Sequence, residues 1–157
     1  HPEKHLYFTE QWIGAPGDFE ENLSWHMENL IIGAPRNWSR NVLQWNLAAD
    51  ENQKPHTDRG GCTRCLGAIT IKGDSIIRNP AYYIIAHASK FVPPGSVRID
   101  SNQEENLLNV AYSTPENKTV VILQNKNNET ITVELNKEGE KLIITLGGKD
   151  IATLVWE

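Results

Sequence analysis

The sequence has no apolar run approaching the roughly 20 residues that a bilayer-spanning helix needs. It has no basic run longer than two residues, and its formal charge is −5 with a pI near 5.5. The electrostatic footprint of a nucleic-acid binder is therefore missing, and phosphate backbones make poor partners. The opening His1-Pro2-Glu3-Lys4-His5 lacks the apolar core of a signal peptide, so any export signal lies outside this sequence. No internal repeat or low-complexity tract appears. What is present is 157 residues with 39% hydrophobic content, enough for one ordinary globular domain or two small ones.

Leu6-Tyr7-Phe8-Thr9-Glu10 is a short, β-prone apolar run turning polar at its C-terminal end, the pattern of a buried parallel strand. Such a strand needs neighbours on both sides, and nothing upstream supplies one. An N-terminal portion is expected to be missing or to lie in another chain. Residues 11–18, with Gly14, Pro16 and Gly17, read as a loop ending in the helix N-cap Asp18. Leu23, Met27, Leu30 and Ile31 then form one apolar helical stripe, which Gly33 and Pro35 stop. Trp25, His26 and Met27 read as packing and surface cover. Asn41 to Leu47 reads as a second buried strand, so strand, helix and strand make a βα unit of a parallel sheet.

Residues 51–61 are loop-like, and Ala68–Ile71 pairs with Ser75–Arg78 across Lys72-Gly73-Asp74 as a hairpin. Asn79 caps a helix that Pro80 opens, with Tyr83, Ile84, His87, Ala88 and Phe91 along one side. Pro93-Pro94-Gly95 ends it and marks the domain boundary. From Ser96 onward, short strands alternate with turn clusters: 97–99, 109–112, 119–123, 130–135, 141–145 and 151–156. This half reads as an antiparallel β-sandwich.

Glu10 is the strongest chemical candidate, because a carboxylate at the C-terminal end of a buried parallel strand sits where barrel enzymes build their active sites. Position alone is equally compatible with a surface glutamate that caps a strand. Cys62-Thr63-Arg64-Cys65 admits a disulfide, half a zinc site or a redox pair. A structural zinc needs four ligands, and only His56 lies near enough to join the two thiolates. A thioredoxin-like pair opens a helix after a strand, whereas this one precedes a hairpin. A local disulfide in an exported protein is favoured, and no metal is expected. The sequons at Asn22, Asn37, Asn117 and Asn128 arise easily by chance in an Asn-rich chain.

Leu6-Tyr7-Phe8-Thr9-Glu10, the helix ending Glu28-Asn29-Leu30-Ile31-Ile32, Trp45-Asn46-Leu47-Ala48, and Ala86 through Ser96 (Ala-His-Ala-Ser-Lys-Phe-Val-Pro-Pro-Gly-Ser) occur in an order and spacing that resemble glycoside hydrolase family 30. That family includes glucosylceramidases and endo-β-1,6-glucanases. The resemblance covers nearly the whole chain and is specific in its middle blocks. It implies a (β/α)8 barrel with a β-sandwich at its side. Residues 1–95 would be the last two βα units of the barrel, and residues 96–157 the side domain, which does no chemistry.

The resemblance also assigns roles. Glu10 maps onto the nucleophile that ends the seventh barrel strand, while the acid/base glutamate belongs to the fourth strand, outside this sequence. A retaining glycosidase needs two carboxyl groups roughly 5–5.5 Å apart, so residues 1–157 alone are expected to be inactive although the complete protein is a β-glycosidase. Trp45 matches a family tryptophan and would form the floor under the reacting sugar, since sugar C–H faces stack on aromatic rings. A core tryptophan of a buried strand is the alternative. Asn46, next to it, points to the other side of the strand. Apart from the resemblance, the loop placement of Trp12 and His56 after the two strands makes them candidates for lining outer subsites, with a structural role the alternative for each. Residues 51–61 depart from the glucosylceramidase pattern, with Gly60-Gly61 where an asparagine is expected, and look more like the bacterial and β-1,6-glucanase branches.

The implied substrate is a β-glucan oligosaccharide or a glucosyl lipid, the partner is the remaining N-terminal part of the barrel, no cofactor is needed, and the location is secreted or periplasmic. A non-catalytic carbohydrate-binding module or inactive fragment is the rival reading. It needs an exposed aromatic platform, and residues 96–157 offer only Tyr112 and Trp156. Outside its barrel the chain is expected to expose apolar strand edges.

Overall fold

A computed structural model describes His1 and residues 3–157. Compactness divides the chain into His1–Lys90 and Phe91–Glu157.

In the first unit, β1 (Leu6–Gly14) leads to helix α1 (Phe19–His26), which runs without a break through π-helical turns (Met27–Gly33) into α2 (Ala34–Arg36). Asp18 caps α1 as its residue type predicts, its Oδ1 accepting from the Glu21 N–H at 2.8 Å. Of the apolar stripe, Met27, Leu30 and Ile31 are buried and Leu23 is half-buried, and Ile32 beside them is buried as well. Pro35 does not stop the helix. It stands in the first turn of α2, where its missing N–H costs nothing.

β2 (Ser39–Trp45) then pairs parallel with β1, completing the βα unit read from the pattern. The second strand run ends earlier than expected, at Trp45, and resumes as β3 (Ala48–Asp50). β4 (Cys65–Leu66) pairs antiparallel with Ile13 and Gly14 of β1. β3 carries the hairpin of β5 (Ile69–Lys72) and β6 (Ser75–Arg78). α3 (Pro80–Ser89) follows, with Ala81 and Ile84 buried and Tyr83 meeting Phe19 of α1 edge-to-face at 5.7 Å. Asn79 precedes α3 but does not cap it with its side chain. Its Nδ2 donates to the Gly67 carbonyl at 2.8 Å and to Thr70 Oγ1 at 2.9 Å, tying the helix start to the hairpin.

Two sequence expectations fail in β1. The strand runs through Gly14, so Gln11 to Gly14 is strand and not loop. Nor is it a buried strand here: Leu6 and Tyr7 are 54% and 57% exposed, because among the described residues β2 is the only partner along Leu6–Trp12.

The second unit is antiparallel throughout. β7 (Val97–Ile99), β8 (Leu107–Ser113), β9 (Thr119–Asn125) and β12 (Ile151–Trp156) form one sheet in the order β12-β9-β8-β7. β10 (Ile131–Lys137) and β11 (Glu140–Leu146) form a hairpin. Ala111, Val121 and Leu123 from the sheet pack with Val133 and Leu146 from the hairpin, which is the face-to-face core of a sandwich. β9 is buried at all seven positions, so its near-continuous apolar run reflects cover on both faces. Among the described residues no helix is long and apolar enough to cross a membrane.

Candidate active site

The register of β1 against β2 brings three of the candidate residues together. Phe8 lies opposite Val42 and Gln11 opposite Gln44, so β1 advances three residues while β2 advances two. The extra residue falls at Thr9-Glu10. Such bulges re-aim side chains and are common next to active sites. Beyond the bulge Trp12 lies directly opposite Trp45. Partners in a parallel ladder share a face, so Trp12 and Trp45 stand on one face of the pair, with Glu10 two residues before Trp12 at the bulge. Glu10, Trp12 and Trp45 are all exposed, the indoles at 40% and 42%, while Ile13 on the opposite face is 1% exposed. Trp45 is therefore not a core residue of this chain, and Trp12 sits in a strand instead of the loop expected for it.

Around Trp12 the packing is close. The Arg64 guanidinium lies over its ring, 5.9 Å from the centroid. Gly14 passes beneath: a Cβ there would stand 2.9 Å from Trp12 Cζ3 and 3.0 Å from Arg64 Nη2, so a side chain at Gly14 is excluded while these two keep their places. Arg64 is held from both sides. Cys62 and Cys65 are joined by a disulfide, and the Arg64 carbonyl accepts from the Ala15 N–H at 2.7 Å. Cys65 is buried opposite Gly14 in the β1–β4 ladder.

His26, read from sequence as cover, is only 4% exposed. Its Nδ1 bonds the Asn22 carbonyl at 2.8 Å. Burial lowers its pKa below the usual 6.5, with the backbones of Asn22 and Trp12 opposing. Nε2 is buried without a hydrogen-bond partner among the described residues.

Asn46 and His56 are less engaged. Asn46 lies just past the end of β2, where strand alternation no longer dictates its direction. Its carbonyl accepts from the Ala68 N–H at 2.7 Å, and its Oδ1 is buried without a partner. His56 stands in the loop between β3 and β4, beside the Thr57–Gly60 bridge. Among the described residues it makes no hydrogen bond or ring contact with Glu10, Trp12 or Trp45. It lies instead near Asp50, whose carboxyl is held below the usual range first by the Lys54 N–H and, among weaker influences, by the charge of His56. Sequence reasoning did not single out Arg64, which the fold sets over Trp12. The position of Arg64 inside the cysteine pair was the one available signal.

Comparison with known proteins bears on what this arrangement is. Residues 95–154 match the glycosyl hydrolase family 30 beta sandwich domain. Endo-1,6-beta-D-glucanase neg1 of Aspergillus fumigatus is 31% identical over 131 residues, covering 79% of this chain and 26% of that protein. The lysosomal acid glucosylceramidase of Mus musculus is 30% identical over 83 residues, covering 52% of this chain and 16% of that protein. Among solved structures, the endo-beta1,6-glucanase BT3312 superposes with a TM-score of 0.90 at 32% identity, covering 99% of this chain and 36% of that one. The chain thus spans about a quarter of the length of the first curated relatives it matches. Its second unit is a glycoside hydrolase family 30 β-sandwich, and the chain as a whole belongs to that family as a C-terminal portion.

Proposed function

We propose that residues 1–157 form part of a retaining β-glycosidase that cleaves β-glucosidic bonds by double displacement, with Glu10 as nucleophile. The observation that carries this reading is the register of β1 on β2, which sets two exposed tryptophans directly opposite each other, with the carboxylate at a bulge two residues before one of them. Such an arrangement offers an ionised oxygen for the anomeric carbon and aromatic surface for the sugar's C–H face. Trp45 is the floor of the subsite for the reacting sugar and Trp12 its neighbour. Asn46 and His56 are peripheral.

β1, α1 and β2 are the start of the last two βα units of a (β/α)8 barrel. The remaining strands and the acid/base carboxyl come from polypeptide outside these residues, in keeping with the 36% of the solved glucanase that this chain covers. The acid must hold its proton while Glu10 stays ionised, and one carboxyl group cannot do both. Residues 1–157 alone are therefore inactive. The sandwich takes no part in chemistry. A β-1,6-glucan is preferred over a glucosyl lipid, since over comparable stretches of this chain the endo-1,6-beta-D-glucanase neg1 is 31% identical and Putative glucosylceramidase 2 of Caenorhabditis elegans 27%. The Cys62–Cys65 disulfide fits a location outside the cytoplasm.

The test uses the full-length protein. A mechanism-based 2-fluoro-glucoside should label Glu10, and Glu10→Gln should lower turnover of an aryl β-glucoside by at least about a thousandfold. A label on another residue, or an active Glu10→Gln protein, overturns the assignment.

A further inference from the structure

The last residues of β1, the loop that follows and the first turns of α1 enclose a cleft of about 430 Å³. That volume lies in the range of small-molecule sites. Two of its walls are aromatic. Trp12 is the indole opposite Trp45, two residues after Glu10. Trp25 on α1 is 47% exposed and meets the ring of His26 at 4.9 Å and 71°, a contact that seats the indole and leaves much of it open. Two further walls are charged: Arg64 over Trp12, and Glu21 on α1. Neither Arg64 nor Glu21 makes an ion pair among the described residues, although both line one cleft. The main chain of Arg64 is held by the short ring closed by Cys62 and Cys65 and by its carbonyl accepting from the Ala15 N–H, and its guanidinium rests over the Trp12 ring.

Aromatic faces joined by a cation and an anion that stand outside any ion pair among the described residues suit a ligand that is neutral overall, has an apolar face and carries many hydroxyls. An alkyl tail would leave both charges desolvated and unpaired. We propose that this cleft is a second sugar subsite, holding one hexose unit of a glucan chain whose reacting unit lies at Glu10 and Trp45. Trp12 is the wall common to both subsites, Trp25 stacks on the outer sugar, and Arg64 and Glu21 bind its hydroxyls. This rests on the glycosidase reading and narrows its substrate to an oligosaccharide.

The test measures kcat and KM of the full-length protein on β-1,6-linked glucose oligomers from disaccharide to hexasaccharide, and on an aryl β-glucoside. Arg64→Met and Trp25→Ala should each raise KM for the hexasaccharide about tenfold, the worth of one stacked ring or charged hydrogen bond. The penalty should be similar for every oligomer from the disaccharide upward, each of which fills both subsites, and least for the aryl glucoside, and Arg64→Lys should recover part of it. A penalty that is the same for every substrate, or absent, overturns the proposal. Should Trp25→Ala fail to fold, Trp25→Phe and Arg64→Met decide it. Failure of the underlying reading is seen separately: Glu10→Gln then keeps its aryl-glucosidase activity whatever Arg64→Met does.

Discussion

Gly67→Ala is the sharpest probe of how the loop after β2 holds its course. A Cβ on Gly67 would stand 2.7 Å from the Ala49 nitrogen and 2.8 Å from both Cα and the carbonyl carbon of Ala48. Ordinary carbon contacts lie at about 3.5–4.0 Å, so two backbone segments must part by about 0.7 Å or more. No flexible side chain is available to yield. Overpacking of this kind costs about 1–3 kcal/mol. The parting also strains the bonds on either side, from the Ala68 N–H to the Asn46 carbonyl at 2.7 Å and from the Ile69 N–H to the Leu47 carbonyl at 3.1 Å. With about 0.5–1 kcal/mol for each weakened bond, the total is about 2–5 kcal/mol. Denaturant unfolding of the full-length protein measures the sum, and amide exchange localises it, with Ala68 and Ile69 exchanging at least about tenfold faster. Unchanged stability together with unchanged protection of those two amides would refute the reasoning. Asn46 adjoins Trp45, so the same substitution should also weaken sugar binding.

Two further predictions concern His26 and Asn125. Burial lowers the His26 pKa, so the unfolded chain binds its proton more readily than the folded one. The resulting stability is fully present above about pH 6.5, the unfolded value, and is lost as pH falls through the lowered folded pKa. Comparing the pH dependence of denaturation midpoints, His26→Gln should show a shallower loss between neutral and mildly acidic pH. A parallel pair of curves would remove His26 from the account. In the sandwich, the fully buried Asn125 donates from Nδ2 to the Glu129 and Gly147 carbonyls at 2.9 and 2.8 Å and accepts at Oδ1 from the Asn127 N–H at 2.9 Å. Asn125→Ala leaves these groups unpaired and should cost about 2–4 kcal/mol in a denaturant melt, and a loss below about 1 kcal/mol would show that the turn repacks.

Much of this protein is legible in one dimension wherever local chemistry decides. Asp18 as a cap, the stripe of Met27, Leu30 and Ile31, the Ser75–Arg78 hairpin strand and the six strands after Ser96 follow from side-chain period and turn residues, which act over a few positions. The misreadings occur where a distant segment intervenes. Gly14, Pro16 and Gly17 suggest a loop from Gln11 onward, yet β4, some fifty residues later, pairs with Ile13 and Gly14 and keeps the chain extended. Asn79 has the chemistry of a cap, but Gly67 and Thr70 compete for its amide and hold it.

The site divides in the same way. From the sequence alone came the βα order, a carboxylate in the first strand, a tryptophan at the end of the second, and a resemblance that names a chemistry for both. Only the tertiary structure decided that two offsetting register shifts between β1 and β2 leave Trp12 opposite Trp45, that Arg64 lies over Trp12 across Gly14, and that Trp25 opens onto a cleft. Register, stacking and concavity depend on which residues from separate segments meet, and residue type along a single segment carries no record of that meeting.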